Sequence, residues 1–233
     1  MPKRRLYQVL RDAGIGDTIS QTRTIILQKR VSIDGTMCTL PGFQVETGRI
    51  VKVDGQEIKA QDKVYFILNK PKGYSCQKNE KTPFVGGLIP DTRVSPVGRL
   101  DFDTTGLLIM TNDGELAAKI TSPESTITKT YLATLNKKIN LADVDQIRAG
   151  VNIEVEGAMY KTKPCTTIAR EGTIFEITIT EGKKRQVRLM FQALGYAVVE
   201  LMRIKIGKLQ LGELKIGKYR GVSKEEILSN LYK

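Results

Sequence analysis

With 233 residues, 40% hydrophobic and 27% charged, the chain has the make-up of an ordinary folded protein, which excludes disorder as the default and allows one large core or a small module beside a larger domain. Its 37 Lys and Arg against 25 Asp and Glu leave a net charge of +12, which favours a polyanionic partner, nucleic acid first and an anionic membrane surface second. The lack of any histidine excludes imidazole catalysis, Ser-His or Cys-His nucleophile pairs and most zinc sites.

No apolar run approaches the roughly 18 to 20 residues that span a bilayer, and the start of the chain lacks the apolar segment of a signal peptide, so the expectation is a cytoplasmic protein without a membrane partner. Cys38, Cys76 and Cys165 are odd in number, far apart and free of CxxC spacing; they read as reduced thiols used for packing. Neither a GxxxxGK phosphate loop nor a GxGxxG turn occurs, so no nucleotide cofactor is expected, and no metal. Any catalysis must then use carboxylates, Lys, Arg, Tyr, Ser or Thr.

Leu6, Val9, Leu10 and Ala13 recur at i, i+3, i+4 and i+7, one face of a short helix that Gly14 and Gly16 can end. A second helix is predicted from Thr18 to about Gln28, with the Thr18 hydroxyl as cap and Gln21 completing a capping box; it buries Ile26 with either Ile25 or Thr22. Val31 to Ile33 alternates like a strand, Asp34-Gly35 marks a tight hairpin, and Ile50 to Val53 makes another short strand closed by Asp54-Gly55. Lys3, Arg4, Arg5, Arg11, Arg23, Lys29 and Arg30 put a basic surface on these helices, suited to phosphate contacts that give affinity without reading sequence. Residues 1–58 are thus expected to form a small module, 59–62 a polar linker and 63–233 a larger domain.

The larger domain opens on the apolar strand Val64 to Leu68, after which Asn69-Lys70-Pro71-Lys72-Gly73-Tyr74 is expected to turn with two exposed lysines. Pro83, Pro90, Pro96 and Gly86-Gly87 make 82–96 an irregular loop. It leads into PVGRLDFDTTGLLIMTNDG, residues 96–114, where Arg99, Asp101 and Asp103 crowd together just before the buried run Leu107 to Met110. An extended approach would project Arg99 and Asp101 to one face, pairing a cation with a carboxylate at the rim of a cleft; a surface loop with a local ion pair is the plainer alternative.

Asp113-Gly114 turns into a short helix, Glu115 to Ile120, that Ser122-Pro123 stops. Lys129 to Leu135 alternates as a strand with Lys129 and Tyr131 on one face, and Leu141 to Ala149 is an amphipathic helix with Leu141, Val144 and Ile147 or Arg148 at helical spacing. Strands follow at 153–155, 159–161, 166–168 and 175–180, separated by glycines, a pattern of an antiparallel or mixed sheet and not of repeated strand-helix-strand units. In EGKKRQVRLMF, residues 181–191, Lys183, Lys184, Arg185 and Arg188 gather at the start of a helix whose apolar face is Val187, Met190 or Phe191, and Leu194. Cations there oppose the helix dipole and require negative partners, either RNA phosphate or Asp101. Val198 to Ile206 and short glycine-punctuated strands finish the sheet.

Gly98-Arg99-Leu100-Asp101, followed by Thr105-Gly106-Leu107-Leu108 and Thr111-Asn112-Asp113-Gly114, resembles the signature of the ribosomal RNA pseudouridine synthases of the RsuA/RluB/RluE/RluF branch. The Leu68-Asn69-Lys70-Pro71 element, Lys129-Thr130-Tyr131 and the EGKKRQVRLMF string match the same family, and the order helix, helix, Arg30-Val31-x-Ile33-Asp34-Gly35 resembles the S-four-like RNA-binding module often found ahead of it. The resemblance implies an α+β protein: a small N-terminal α/β RNA-binding module, then a synthase domain with a mixed, mostly antiparallel sheet and a central cleft. It implies isomerisation of one uridine in ribosomal RNA to pseudouridine without a cofactor, the partner being ribosomal RNA or an assembling ribosomal subunit, and the enzyme is expected to act as a monomer. Asp101 is implied as the catalytic carboxylate, attacking the anomeric carbon or removing a sugar proton. Arg188 would pair with Asp101 and keep it ionised, Tyr131 would face the displaced base with Lys129 beside it, and Arg99 would fill the gap left by the flipped uridine. Leu189 stands where many relatives carry a second basic residue and would line the pocket; Ile19 and Ser20 replace the adjacent arginines that commonly open the module's second helix. A noncatalytic RNA-binding or ribosome-assembly factor on the same scaffold is the alternative, and it leaves the joint presence of Asp101, Tyr131 and Arg188 unexplained.

Overall fold

The structure, a computed structural model, describes residues 3–16 and 18–231, and the chain divides into two compact units, 1–63 and 64–233. In the first unit, strand β1 (Lys3–Arg5) runs straight into helix α1 (Leu6–Asp12), and helix α2 (Ile19–Leu27) follows a glycine-rich turn. Thr18 caps α2 as its sequence demands: the Gln21 backbone donates to the Thr18 hydroxyl at 3.1 Å, and the Thr18 backbone donates to the Gln21 side chain at 3.0 Å. Leu6, Leu10, Thr22 and Ile26 are fully buried, and Thr22 earns no penalty there because its hydroxyl donates within the unit to Ile15 or Thr18 carbonyls.

Strands β2 (Val31–Ile33), β3 (Thr36–Met37), β4 (Gln44–Glu46), β5 (Val51–Val53) and β6 (Gln56–Glu57) complete this unit. The sheet order is β3-β2-β5-β6, while β4 pairs with β1. Both hairpins turn on an Asp-Gly pair with positive φ at each residue, 48° and 83° at Asp34-Gly35 and 51° and 82° at Asp54-Gly55, the backbone that matches the twist of antiparallel strands. The basic surface is partly neutralised from within: Lys3 pairs with Glu46, Arg4 with Asp12, and Arg30 with Asp54. Arg5, Arg11, Arg23 and Lys29 remain exposed, with Arg23 lying over the Tyr7 ring.

In the second unit the elements run β7 (Tyr65–Lys70), a 3-10 turn at Val85–Leu88, β8 (Ser95–Pro96), β9 (Thr105–Thr111), α3 (Gly114–Thr121), β10 (Lys129–Leu135) and α4 (Leu141–Ala149). They continue through β11 (Asn152–Val155), β12 (Ala158–Lys161), β13 (Thr166–Ala169), β14 (Ile174–Ile179), α5 (Gln186–Gln192), β15 (Val198–Ile206), β16 (Leu209–Gln210), β17 (Tyr219–Gly221) and α6 (Lys224–Leu231). One sheet is ordered β13-β14-β10-β15-β9-β7-β17, with β16 on β15 and β8 on β9. Only the β15–β9 pairing is parallel among the pairings of this sheet, so it is mixed and mostly antiparallel. There the backbones approach so closely that a Cβ at Gly106, whose φ is +105°, would collide with the Arg203 main chain.

Every residue of β9 is buried, and its side chains alternate between two cores. Leu107 and Ile109 join Ile67, Ile206, α3 and α6 on one face; Leu108 and Met110 join Leu68, Val85, Ile89 and Leu100 on the other. Each fully buried Leu, Ile or Met contributes about 1.5–3 kcal/mol, which makes β9 the anchor for the segment entering it. On that second face Ala133, Leu135, Phe175 and Ile177 pack with α4 and α5, and Tyr131 touches both clusters.

Two expectations need correction, and one helix lies outside them. Leu141 is 84% exposed, because the core is reached only by Val144 and Ile147 one turn later. Lys70 is not exposed but fully buried. Helix α6 was not anticipated, although Ser223 and Glu226 carry its signal: the Glu226 backbone donates to the Ser223 hydroxyl at 3.0 Å, an N-terminal cap. All three cysteines are free thiols, with Cys165 pushed up to about 11 by burial. Among the described residues no helix is long and apolar enough to cross a membrane.

Candidate active site

The segment before β9 is held from below by a buried ammonium. Lys70, at the end of β7, donates to the carbonyls of Pro71 and Asp101 at 3.1 Å and of Thr104 at 2.9 Å, and the Gly73 backbone donates to Phe102 at 3.0 Å. Burial pushes the Lys70 ammonium below the ordinary lysine range, against the opposing pull of Cys76, Asp101 and Asp103. Leu100 enters the core and its N–H points at Cys76 Sγ, 3.4 Å away. With the main chain fixed at 100 and 104, residues 101–104 form a tight turn closed by Thr104 N–H on Asp101 O at 3.1 Å, not the extended approach expected.

That turn sends its two carboxylates to different places. Asp103 receives Arg185 at 3.2 and 3.3 Å and Arg188 at 3.2 Å. Burial alone would raise the Asp103 carboxyl; the Arg185 hydrogen bond and the two guanidinium charges outweigh it and hold the group below the usual carboxylate range. Arg188 also donates to Val198 O at 2.7 Å and to Asp103 O at 3.3 Å, while its Nε is buried without a partner. The expected Arg188–Asp101 ion pair is therefore replaced by Arg188–Asp103, since the turn aims Asp103 at α5. Burial lowers the Arg188 guanidinium, with Asp103 and, more weakly, Asp101 working the other way.

Asp101 instead lines a cleft of about 300 Å3, together with Arg99, Thr104, Tyr131, Ile179, Leu201 and the turn from Gly182 to Val187. Among the described residues nothing donates to its carboxylate. Of the residues expected at the site, Arg99, Asp101 and Tyr131 line this cleft. Lys129, Arg188 and Leu189 are not among its lining residues: Lys129 is the cross-strand neighbour of the lining residue Ile179, and Leu189 packs against the hydrophobic cluster around α4 and α5. Lys129 is directly opposite Ile179 and two residues from Tyr131, on the same sheet face.

The basic edge of the cleft is a built feature. Glu181 accepts from the Tyr160 hydroxyl, the Lys163 backbone at 2.9 Å and the buried Gln186 side chain, and Gln186 in turn accepts from the Lys183 backbone at 2.9 Å. This lattice fixes the Lys183 backbone, while Lys184 pairs with Glu156 at 3.1 Å and Arg185, in the left-handed region at φ 53°, pairs with Asp103 at 3.2 Å. Lys70, Asp103, Glu181 and Gln186 were missed as site residues; the density of cations beside Glu181-Gly182 was the only local sign of the last two. A second, wide depression over α2 is lined, among the described residues, by Gly16, Ser20, Gln21, Thr24 and Ile25, none of them titratable. Among the described residues no three Cys, Asp or Glu side chains converge as a metal site.

A mixed sheet that carries a free carboxylate and an aromatic ring into a cation-edged cleft defines an enzyme for a polyanionic substrate. The family described as RNA pseudouridylate synthase matches residues 64–193, and the S4 domain matches residues 4–51. The chain is 38% identical to the ribosomal small subunit pseudouridine synthase A of Salmonella typhimurium, over 94% of this chain and 98% of that one. It is 34% identical to the ribosomal large subunit pseudouridine synthase B of Bacillus subtilis, over 96% and 93%. A crystal structure of a pseudouridylate synthase aligns with 96% of this chain and 97% of its own at 33% identity, with a TM-score of 0.69. The chain belongs to the RNA pseudouridylate synthase family, and is an isomerase with an S4 domain at its N-terminus.

Proposed function

We propose that this enzyme isomerises a specific uridine of ribosomal RNA to pseudouridine, with Asp101 as the reacting carboxylate, residues 1–58 as the RNA-binding module and 63–233 as the catalytic domain. The observation that carries the reading is the Asp101 carboxylate, unengaged by any described residue, in one cleft with Tyr131 and a fixed cationic edge. Ribosomal RNA is the substrate class because the small-subunit and large-subunit relatives are both named for it.

The carboxylate attacks the anomeric carbon, or takes a sugar proton, as the bond to N1 breaks; the uracil turns and its C5 joins the same sugar carbon. Arg188, steered by Asp103, keeps positive charge beside Asp101 without consuming its lone pairs. Tyr131 lies against the base, and stacking of this kind is worth roughly 1–3 kcal/mol. Arg99, exposed at the mouth, takes the place of the extruded nucleotide, and Lys183, Lys184 and Arg185 meet the phosphates on either side.

The test is site-resolved mapping of pseudouridine in ribosomal RNA from cells with and without this protein, repeated in vitro with the purified enzyme on unmodified RNA. One uridine converted only where the protein is present supports the reading; RNA bound with every uridine unchanged refutes it.

A further inference from the structure

Resting on that reading, we propose that Lys129 is the base that removes the C5 proton after uracil has rejoined the sugar through C5. In that adduct C5 holds both the sugar and its original hydrogen. The hydrogen leaves as a proton to a neutral amine, its bonding pair becomes the C5=C6 double bond, the former C6=N1 pair moves to N1, and N1 takes a proton from solvent. Some group at the cleft must accept the C5 proton.

Most candidates are disqualified by what already holds them. Arg99, Arg185, Arg188 and Arg203 are permanent cations and accept no proton. The Lys70 ammonium is spent on main-chain carbonyls, the Glu156 carboxylate at the cleft edge and the Lys184 ammonium hold each other at 3.1 Å, and Lys183 sits over the Tyr160 ring, 4.6 Å from its centre. Asp101 is engaged with the sugar. Two groups are left, Tyr131 and Lys129, side by side on one face of β10.

Lys129 is half-buried, faces Ile179 of the cleft wall, and has no hydrogen-bond or ion-pair partner among the described residues. Its charged neighbour is another cation. Arg203, directly across from Tyr131 on β15, is 5% exposed, donates through Nε to Leu107 O at 2.8 Å, and leaves Nη2 without an acceptor. An ammonium desolvated beside a guanidinium, with no carboxylate to share, is the arrangement that yields a neutral amine. Burial first and Arg203 second push the Lys129 ammonium below the ordinary lysine range.

The experiment is single-turnover release of the C5 hydrogen from ribosomal RNA transcripts carrying protium or deuterium at uridine C5, with the wild type, Lys129→Arg, Lys129→Met and Tyr131→Phe. Arginine keeps the charge and cannot act as a base, so it separates proton transfer from electrostatics. Expected for both Lys129 variants, with melting temperature and RNA affinity retained, is a fall of about 10²-fold in release together with an isotope effect larger than that of the wild type. Release from Lys129→Arg at the wild-type rate overturns the proposal, as does a slower rate with no larger isotope effect. An enlarged isotope effect in Tyr131→Phe alone assigns the proton to the phenol and also overturns it. Failure of the underlying reading looks different: the wild type then releases no C5 hydrogen at all.

Discussion

Strand β9 has an aspartate beyond each end, and the two are treated in opposite ways. Asp113, at the C-terminal end, is 3% exposed and saturated: its carboxylate takes Tyr65 Oη at 2.9 Å, Lys224 Nζ at 2.8 Å and the Leu116 backbone at 3.1 Å as the cap of α3. Asp101, at the N-terminal end, has its main chain fixed by Lys70 while its carboxylate is left open to the cleft. The fold spends donors where a carboxylate joins elements together and withholds them where one must react. Around Asp101 it is the backbone and the neighbouring Asp103 that absorb the cations.

Exchanging each carboxylate for an isosteric amide tests that contrast, and the largest effect belongs to Asp101. Asp101→Asn is expected to lower single-turnover pseudouridine formation by at least about 10³-fold, with a thermal midpoint close to that of the wild type, because no folded-state hydrogen bond is lost. Ordinary turnover in this variant breaks the comparison outright. Lys70→Met comes next. Removing the ammonium leaves one buried and two part-buried carbonyls with one donor fewer, at a cost of about 2–4 kcal/mol in urea unfolding, and the freed 101–104 turn lowers turnover as well. A Lys70→Met protein of unchanged stability would mean that the turn is held by its own hydrogen bond and by Gly73 alone.

The same contrast explains which parts were legible in the sequence. Thr18 with Gln21, Asp34-Gly35 and Asp54-Gly55 act on residues within three or four positions, so their chemistry shows in the string. The bounds of β10, α4 and β15 follow from side-chain period. The site itself was half visible. Asp101 and Tyr131 reach one cleft as the resemblance implies, yet nothing local distinguishes Lys70 from Lys72, since one is buried by carbonyls more than thirty residues away. The partner of Arg188 likewise depends on how a turn 85 residues earlier divides Asp101 from Asp103. Strand β4 exists only because β1 pairs with it, and neither has a pattern of its own.

The smallest of these effects concerns Asp113, and it sharpens the comparison by pH. Burial would raise the Asp113 carboxyl, but hydrogen bonds from Lys224, Leu116 and Tyr65 together with the lysine charge bring it down to about 2. The native state therefore holds this carboxylate ionised where an unfolded chain, with a value of about 3.9, begins to protonate it. The resulting stabilisation is complete above about pH 5 and disappears as the pH falls through about 2; after allowance for solvent screening it is of order 1–2 kcal/mol. Asp113→Asn keeps a side chain able to cap α3 but loses the charge facing Lys224 and the acceptor for Tyr65. Denaturation followed from pH 7 to pH 2 should show the variant less stable at neutral pH, the two curves converging in acid, and pseudouridine formation per folded molecule preserved. Parallel curves across that range would assign the loss to the altered cap and not to the carboxylate charge, and a loss of activity per folded molecule would place Asp113 on the functional side of the contrast with Asp101.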